Sequence, residues 1–169
     1  RRFLQKIFTA REQEIIKSGE AGMWIIWAIK EAIYKAHHRR FNLARKFDPR
    51  GIETFFQEKV GETMEAKGEY AGQKYWGKGN VTSEYIHFSA SCLSKEMIFQ
   101  EIHPASVNIE KRLKFLISEK LHLQADEISL IKNANLIPEL FYKNSPLKVP
   151  FSISHHGRFK AFSFQLINY

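Results

Sequence analysis

From Gly22 to His38 the chain reads GMWIIWAIKEAIYKAHH, and this stretch limits what the rest can fold into. At ~100° per residue, Ile25, Ile26, Ile29, Ala32, Ile33 and Ala36 gather on one side of a helix spanning about residues 22–38, and that side faces a core. The other side carries Trp27, Lys30, Glu31, Tyr34 and Lys35. Glu31 and Lys35 are i,i+4 neighbours, which on a solvated face stabilises a helix by only ~0.2–0.5 kcal/mol. A solvated face accounts for the charges but not for two large aromatics among them. A carboxylate flanked by lysines suits a metal-bridged diphosphate. Magnesium takes one or two carboxylates plus phosphate oxygens, and ammonium groups neutralise the remaining charge.

Around this helix the pattern is mixed. Thr9 followed by Glu12 predicts a capping box and a helix from about residue 10 to Gly19. Pro49 and Gly51 mark a break. From Ile52 to His103 the sequence is β-rich, clearest in EYIHFSAS (84–91) and EMIFQEIH (96–103), with CLSK as a turn between them. GEYAGQKYWGKGN (68–80) holds four glycines in thirteen residues and reads as an exposed loop. Residues 107–122 return to helical spacing, with Ile109, Leu113, Leu116 and Ile117 on one face. EISLIKNANLIPEL (127–140) reads as strand and turn. VPFSISHHGRFKAFSFQL is the clearest hairpin, with its turn at HHG. Helices beside antiparallel strands, without a regular βαβ repeat, give an α+β fold: an antiparallel-type sheet packed against a long central helix.

At 169 residues one domain spanning 1–169 is the simplest expectation. The single Cys92 cannot form an internal disulfide, which fits a reducing cytoplasm. The longest apolar run, MWIIWAI, is far below the ~20 residues of a membrane span. A net charge of +8 favours anionic partners without choosing among them.

Two motifs carry less than they promise. GQKYWGKG (72–79) matches a phosphate-binding loop up to its last position, where Gly79 replaces the hydroxyl that would hold magnesium. His37–His38 and His155–His156 are adjacent pairs, whose side chains diverge on a helix or a strand and do not converge on one metal.

W27-A-I-K30-E31-A32-I-Y-K35 resembles the signature of the 4'-phosphopantetheinyl transferase superfamily. FSISHHGRFKAF (151–162) resembles its second signature, and KIFTAREQEII (6–16) its F-T-x-x-E helix. The order and spacing are similar to the single-domain, holo-acyl-carrier-protein-synthase type. The resemblance implies transfer of the phosphopantetheine arm of coenzyme A to a serine of an apo acyl or peptidyl carrier protein, with release of adenosine 3',5'-bisphosphate. It implies Mg2+ held by Glu31, which also stands as the group activating the serine, with Lys35 beside it in catalysis. Lys30 and Lys35 are implied as phosphate contacts, and Ser154 and His155 as coenzyme A contacts.

A second metal ligand, an Asp, is expected upstream of residue 1, in a native N-terminal segment preceding Arg1. GEAGM (19–23) stands where the family often carries a basic pair for the 3'-phosphate, which Arg39, Arg40 or Arg158 could replace. Residues of about 55–105 exceed what compact members need and read as a β-rich insertion. The resemblance further implies an acidic carrier protein, which a helix of about 1–17 bearing Arg1, Arg2, Lys6 and Arg11 would steer, and a homotrimer. Competing readings are a non-catalytic relative that binds an acidic protein and a basic nucleic-acid-binding domain. Lys30, Glu31, Lys35 and His155 weigh against the first. Against the second, no recognised nucleic-acid motif occurs, and Glu31 would repel phosphate without a metal.

Overall fold

A short amphipathic N-terminal stretch becomes two helices rather than one, because Thr9 caps the second. In a computed structural model that describes residues 2–17, 19–56, 60–93 and 98–166, these are α1 (Arg2–Ile7) and α2 (Ala10–Ile16). The Glu12 amide donates to the Thr9 hydroxyl (3.3 Å), and the Thr9 amide donates to Glu12 Oε2 (2.9 Å). The predicted capping box is therefore present, and it interrupts the single helix expected over 1–17. Arg1 of that expected basic helix lies outside the described residues. The long helix follows as α3 (Glu20–Arg40).

The chain divides into two compact units, residues 1–41 with 45–96 and residues 42–44 with 97–169. The first holds α1 to α3 and a four-stranded antiparallel sheet in the order β1 (Glu53–Phe56), β2 (Thr63–Tyr70), β3 (Gln73–Val81), β4 (Ile86–Ser91). Ile25, Ile29, Ala32 and Ile33 of α3 pack on Met64, Ala66, Tyr75 and Phe88 of the sheet. A smaller cluster joins Ile7 and Phe8 to Ile26.

The expected loop at 68–80 is instead most of a hairpin. Strands β2 and β3 pair in continuous register from Thr63↔Asn80 to Tyr70↔Gln73. Ala71 (φ 50°) and Gly72 (φ 73°) are both left-handed, the geometry of a type I′ turn, whose twist matches the strands. The glycines that read as a loop answer close approaches. A Cβ on Gly68 would run into Ile33 Cδ1 of α3 and lie 2.7 Å from the Glu53 carbonyl, and one on Gly79 would run into the His87 carbonyl. With Gly79 inside β3, the phosphate-loop likeness has neither the loop nor the following helix that it needs.

The second unit holds β5 (Ile98–Pro104), α4 (Ile109–Leu121), β6 (Ile128–Lys132), β7 (Pro138–Tyr142), β8 (Ser145–Leu147), β9 (Phe151–His156) and β10 (Phe159–Gln165). They form two three-stranded antiparallel sheets, β5-β10-β9 and β6-β7-β8. Asn108 caps α4 by accepting from the Lys111 amide, and His122 ends it in the left-handed region. Ile109, Leu113 and Ile117 of α4 share a core with Phe151, Phe162, Phe164, Ile128 and Leu140. The C-terminal hairpin forms as expected, but His155 and His156 stay in β9 and the turn is Gly157–Arg158. Gly157 (φ 54°) takes the position where a left-handed residue is needed. Of the CLSK turn and the EMIFQEIH strand, residues 94–97 lie outside the described residues.

Candidate active site

In the middle of α3, Glu31 and Lys35 stay partly exposed and are paired. Lys35 Nζ lies 2.7 Å from Glu31 Oε1, with side-chain exposures of 34% and 43%. One helical turn of backbone holds them, so their spacing is fixed by the helix and not by long-range packing. Such a pair at partial exposure adds little stability and leaves both groups open to a ligand.

Lys30, expected on the same solvated side, is fully buried. Its ammonium lies 2.9 Å from Glu12 Oε2 and donates to the carbonyl of Pro49 (2.7 Å) and to that of Ile52. An ammonium has three N–H donors, and here each has an oxygen. Glu12 is satisfied in turn: Oε1 accepts from the Thr54 hydroxyl at 2.6 Å, and Oε2 from the Thr9 amide. Burial lowers the Lys30 pKa, and the hydrogen bond and charge of Glu12 oppose that. Lys30 is therefore an internal tie between α2, α3 and the 49–52 turn, and its burial differs from the place on the open polar side of α3 that its spacing predicts.

The same turn explains the aromatics on this side of α3. Phe47 packs edge-on to Trp27 (5.5 Å between ring centroids) and against Tyr34 (4.9 Å). Residues 47–52 thus cover Trp27, Lys30 and Tyr34, leaving Glu31 and Lys35 exposed. The adjacent histidines diverge as expected. His37 Nδ1 lies 2.7 Å from the Tyr75 hydroxyl in the core, and the His38 ring lies against Tyr34.

His87 of β4 was passed over in the sequence, where one histidine in a strand pattern carries no signal. Burial, reinforced by the Lys35 charge and opposed by that of Glu31, holds its imidazole down to about 4. It is neutral at pH 7, with Nε2 lying 3.3 Å from the Ser89 hydroxyl. Among the described residues no group of three or more His, Cys, Asp or Glu could hold a metal ion. Glu31 offers one partly exposed carboxylate, a donor set that fits a hard dication taking its other oxygens from phosphate and water.

In the second unit, Ser154 and His155 occupy the end of β9, with Ser154 half-buried and His155 exposed. Of the arginines considered for the 3'-phosphate, Arg40 lies over the Phe41 ring and Arg158 over the Phe159 ring.

The model of the 4'-phosphopantetheinyl transferase superfamily matches residues 1–92, more than half of the 169-residue chain. The chain belongs to this superfamily. Its activity in general terms is the transfer of phosphopantetheine, so the protein is a member of a transferase superfamily. The superfamily match takes in Glu31, Lys35 and His87 and ends before Ser154 and His155. No curated protein and no solved structure matches the chain. Among the described residues, no helix is long and apolar enough to cross a membrane.

Proposed function

We propose that this protein transfers the 4'-phosphopantetheine group of coenzyme A to a serine of an apo acyl or peptidyl carrier protein, as a holo-acyl-carrier-protein-synthase type of enzyme. The observation that carries this reading is the Glu31–Lys35 pair, partly exposed on α3 within the span matched by the superfamily. The serine oxygen forms a bond to the phosphorus that bears pantetheine. The bond from that phosphorus to the bridging diphosphate oxygen breaks, and adenosine 3',5'-bisphosphate leaves. The serine proton departs as the bond forms, and Glu31, directly or through water, is the base within this chain suited to take it.

Lys35 binds the diphosphate and stabilises the charge that grows on the leaving oxygen. A magnesium ion held in part by Glu31 would neutralise diphosphate charge. Ser154 and His155 bind coenzyme A through hydroxyl and imidazole donors. Lys30 acts on none of these atoms: it fixes the backbone next to Glu31. The carrier protein is an acidic partner, attracted by the +8 charge of the chain. The test is incubation with coenzyme A, magnesium and an apo carrier protein. A phosphopantetheine-sized mass gain on the carrier serine supports the reading, and an unmodified carrier refutes it.

A further inference from the structure

The β5-β10-β9 sheet of the second unit sets three basic side chains in one row. Lys160 of β10 is directly opposite His103 of β5 on one side and His155 of β9 on the other. Residues in register across antiparallel strands lie on the same sheet face, with Cβ atoms ~4.5–5.5 Å apart. That face is the one covered further along by α4, since Phe151, Ile153, Phe162 and Phe164 follow this row at every second position on the same face and share a core with α4. The row itself lies past the start of α4. Lys160 Nζ donates to the Val107 carbonyl (3.2 Å), next to the Asn108 cap.

Carboxylate compensation on this face is already committed. Glu101, one row inward, accepts two hydrogen bonds from Arg112 of α4 (2.9 Å each) and lies 2.7 Å from His103 Nε2. The Arg112 guanidinium, chiefly, holds the Glu101 carboxyl below its ordinary range. His103 is braced from the other side by stacking on Phe162. The surrounding loop is fixed too, because the Ala105 amide donates to the Arg158 carbonyl in the hairpin turn (2.8 Å). Lys160 has two N–H donors beyond the one given to Val107, and the exposed His155 stands directly opposite it in the same row.

We propose that Lys160, flanked by His103 and His155, is a phosphate-binding residue that takes a phosphate group of coenzyme A. This rests on the coenzyme A reading above, and it adds Lys160 and His103 to the residues that reading names. The ligand chemistry is a phosphate ester, either the 3'-phosphate or the diphosphate, and the two are separable by probe.

Calorimetric titration of the full chain with coenzyme A and with 3'-dephospho-coenzyme A tests this, using Lys160→Met, Lys160→Gln and Lys160→Arg. Far-UV circular dichroism checks each fold. The two neutral variants should bind coenzyme A about tenfold more weakly than the wild type, and Lys160→Arg should keep most of the affinity. If the loss disappears with the dephospho probe, the row holds the 3'-phosphate. If it persists, the row holds the diphosphate. Either supports the proposal. Wild-type binding of coenzyme A that both neutral variants equal overturns the row alone. A wild-type protein that does not bind coenzyme A overturns the coenzyme A reading and the row with it.

Discussion

Replacing Lys30 with methionine keeps the length of the side chain and removes its charge. Three oxygens lose the ammonium at once: Glu12 Oε2, which keeps only the Thr9 amide, the Pro49 carbonyl and the Ile52 carbonyl. Glu12 is then an uncompensated carboxylate at 1% exposure, held in place by Thr9 and Thr54. Breaking one partner of a buried ion pair costs about 3–5 kcal/mol. At roughly 2–4 °C per kcal/mol for a chain of this size, the melting temperature should drop by about 6–20 °C.

Urea titration followed by circular dichroism at pH 7.5 measures the loss. A double variant, Lys30→Met with Glu12→Leu, should regain part of the loss because no buried charge remains. Unfolding of Lys30→Met within about 0.5 kcal/mol of wild type at pH 7.5 would refute the reading of Lys30 as an internal tie.

Gly68→Ala should destabilise the first unit by about 1–3 kcal/mol, since its Cβ has to displace Ile33 or the Glu53 backbone; an unchanged urea midpoint would contradict that packing. His87 titrates near 4 in the folded protein against an ordinary 6.5, so the unfolded chain takes up its proton first. Stability is then full above about pH 7 and falls as pH drops toward 4, by about 1–3 kcal/mol once the partial exposure of the ring is allowed for. His37, also lowered chiefly by burial, adds in the same direction. His87→Gln should flatten this slope, and a slope identical to wild type would count against the assignment.

Local signals were legible. The capping box at Thr9 and Glu12, the length of α3, the α4 face and the final hairpin all follow from residues within a turn or two of one another. What failed depended on distant partners. A helical wheel puts Lys30 beside Glu31, but it cannot see Glu12 eighteen residues earlier, or the turn at 47–52 that closes over it. Gly68 and Gly79 looked like loop residues because a sequence does not reveal the side chains and carbonyls that will crowd them. The Glu31–Lys35 spacing was readable for the opposite reason, since a helix sets it alone. The His103–Lys160–His155 row depends on strand register between segments more than fifty residues apart, which no local pattern specifies.

On the proposed function, the Glu31–Lys35 pair serves a reaction and not the fold. Glu31→Gln keeps the size of the side chain and, at partial exposure, should cost only a few tenths of a kcal/mol in stability. The decisive measurement is the rate at which this variant, with its urea midpoint confirmed near wild type, loads phosphopantetheine onto an apo carrier protein at saturating magnesium. The rate should fall at least about a hundredfold, the scale of a lost general base. Near-normal loading by a well-folded Glu31→Gln protein would contradict it.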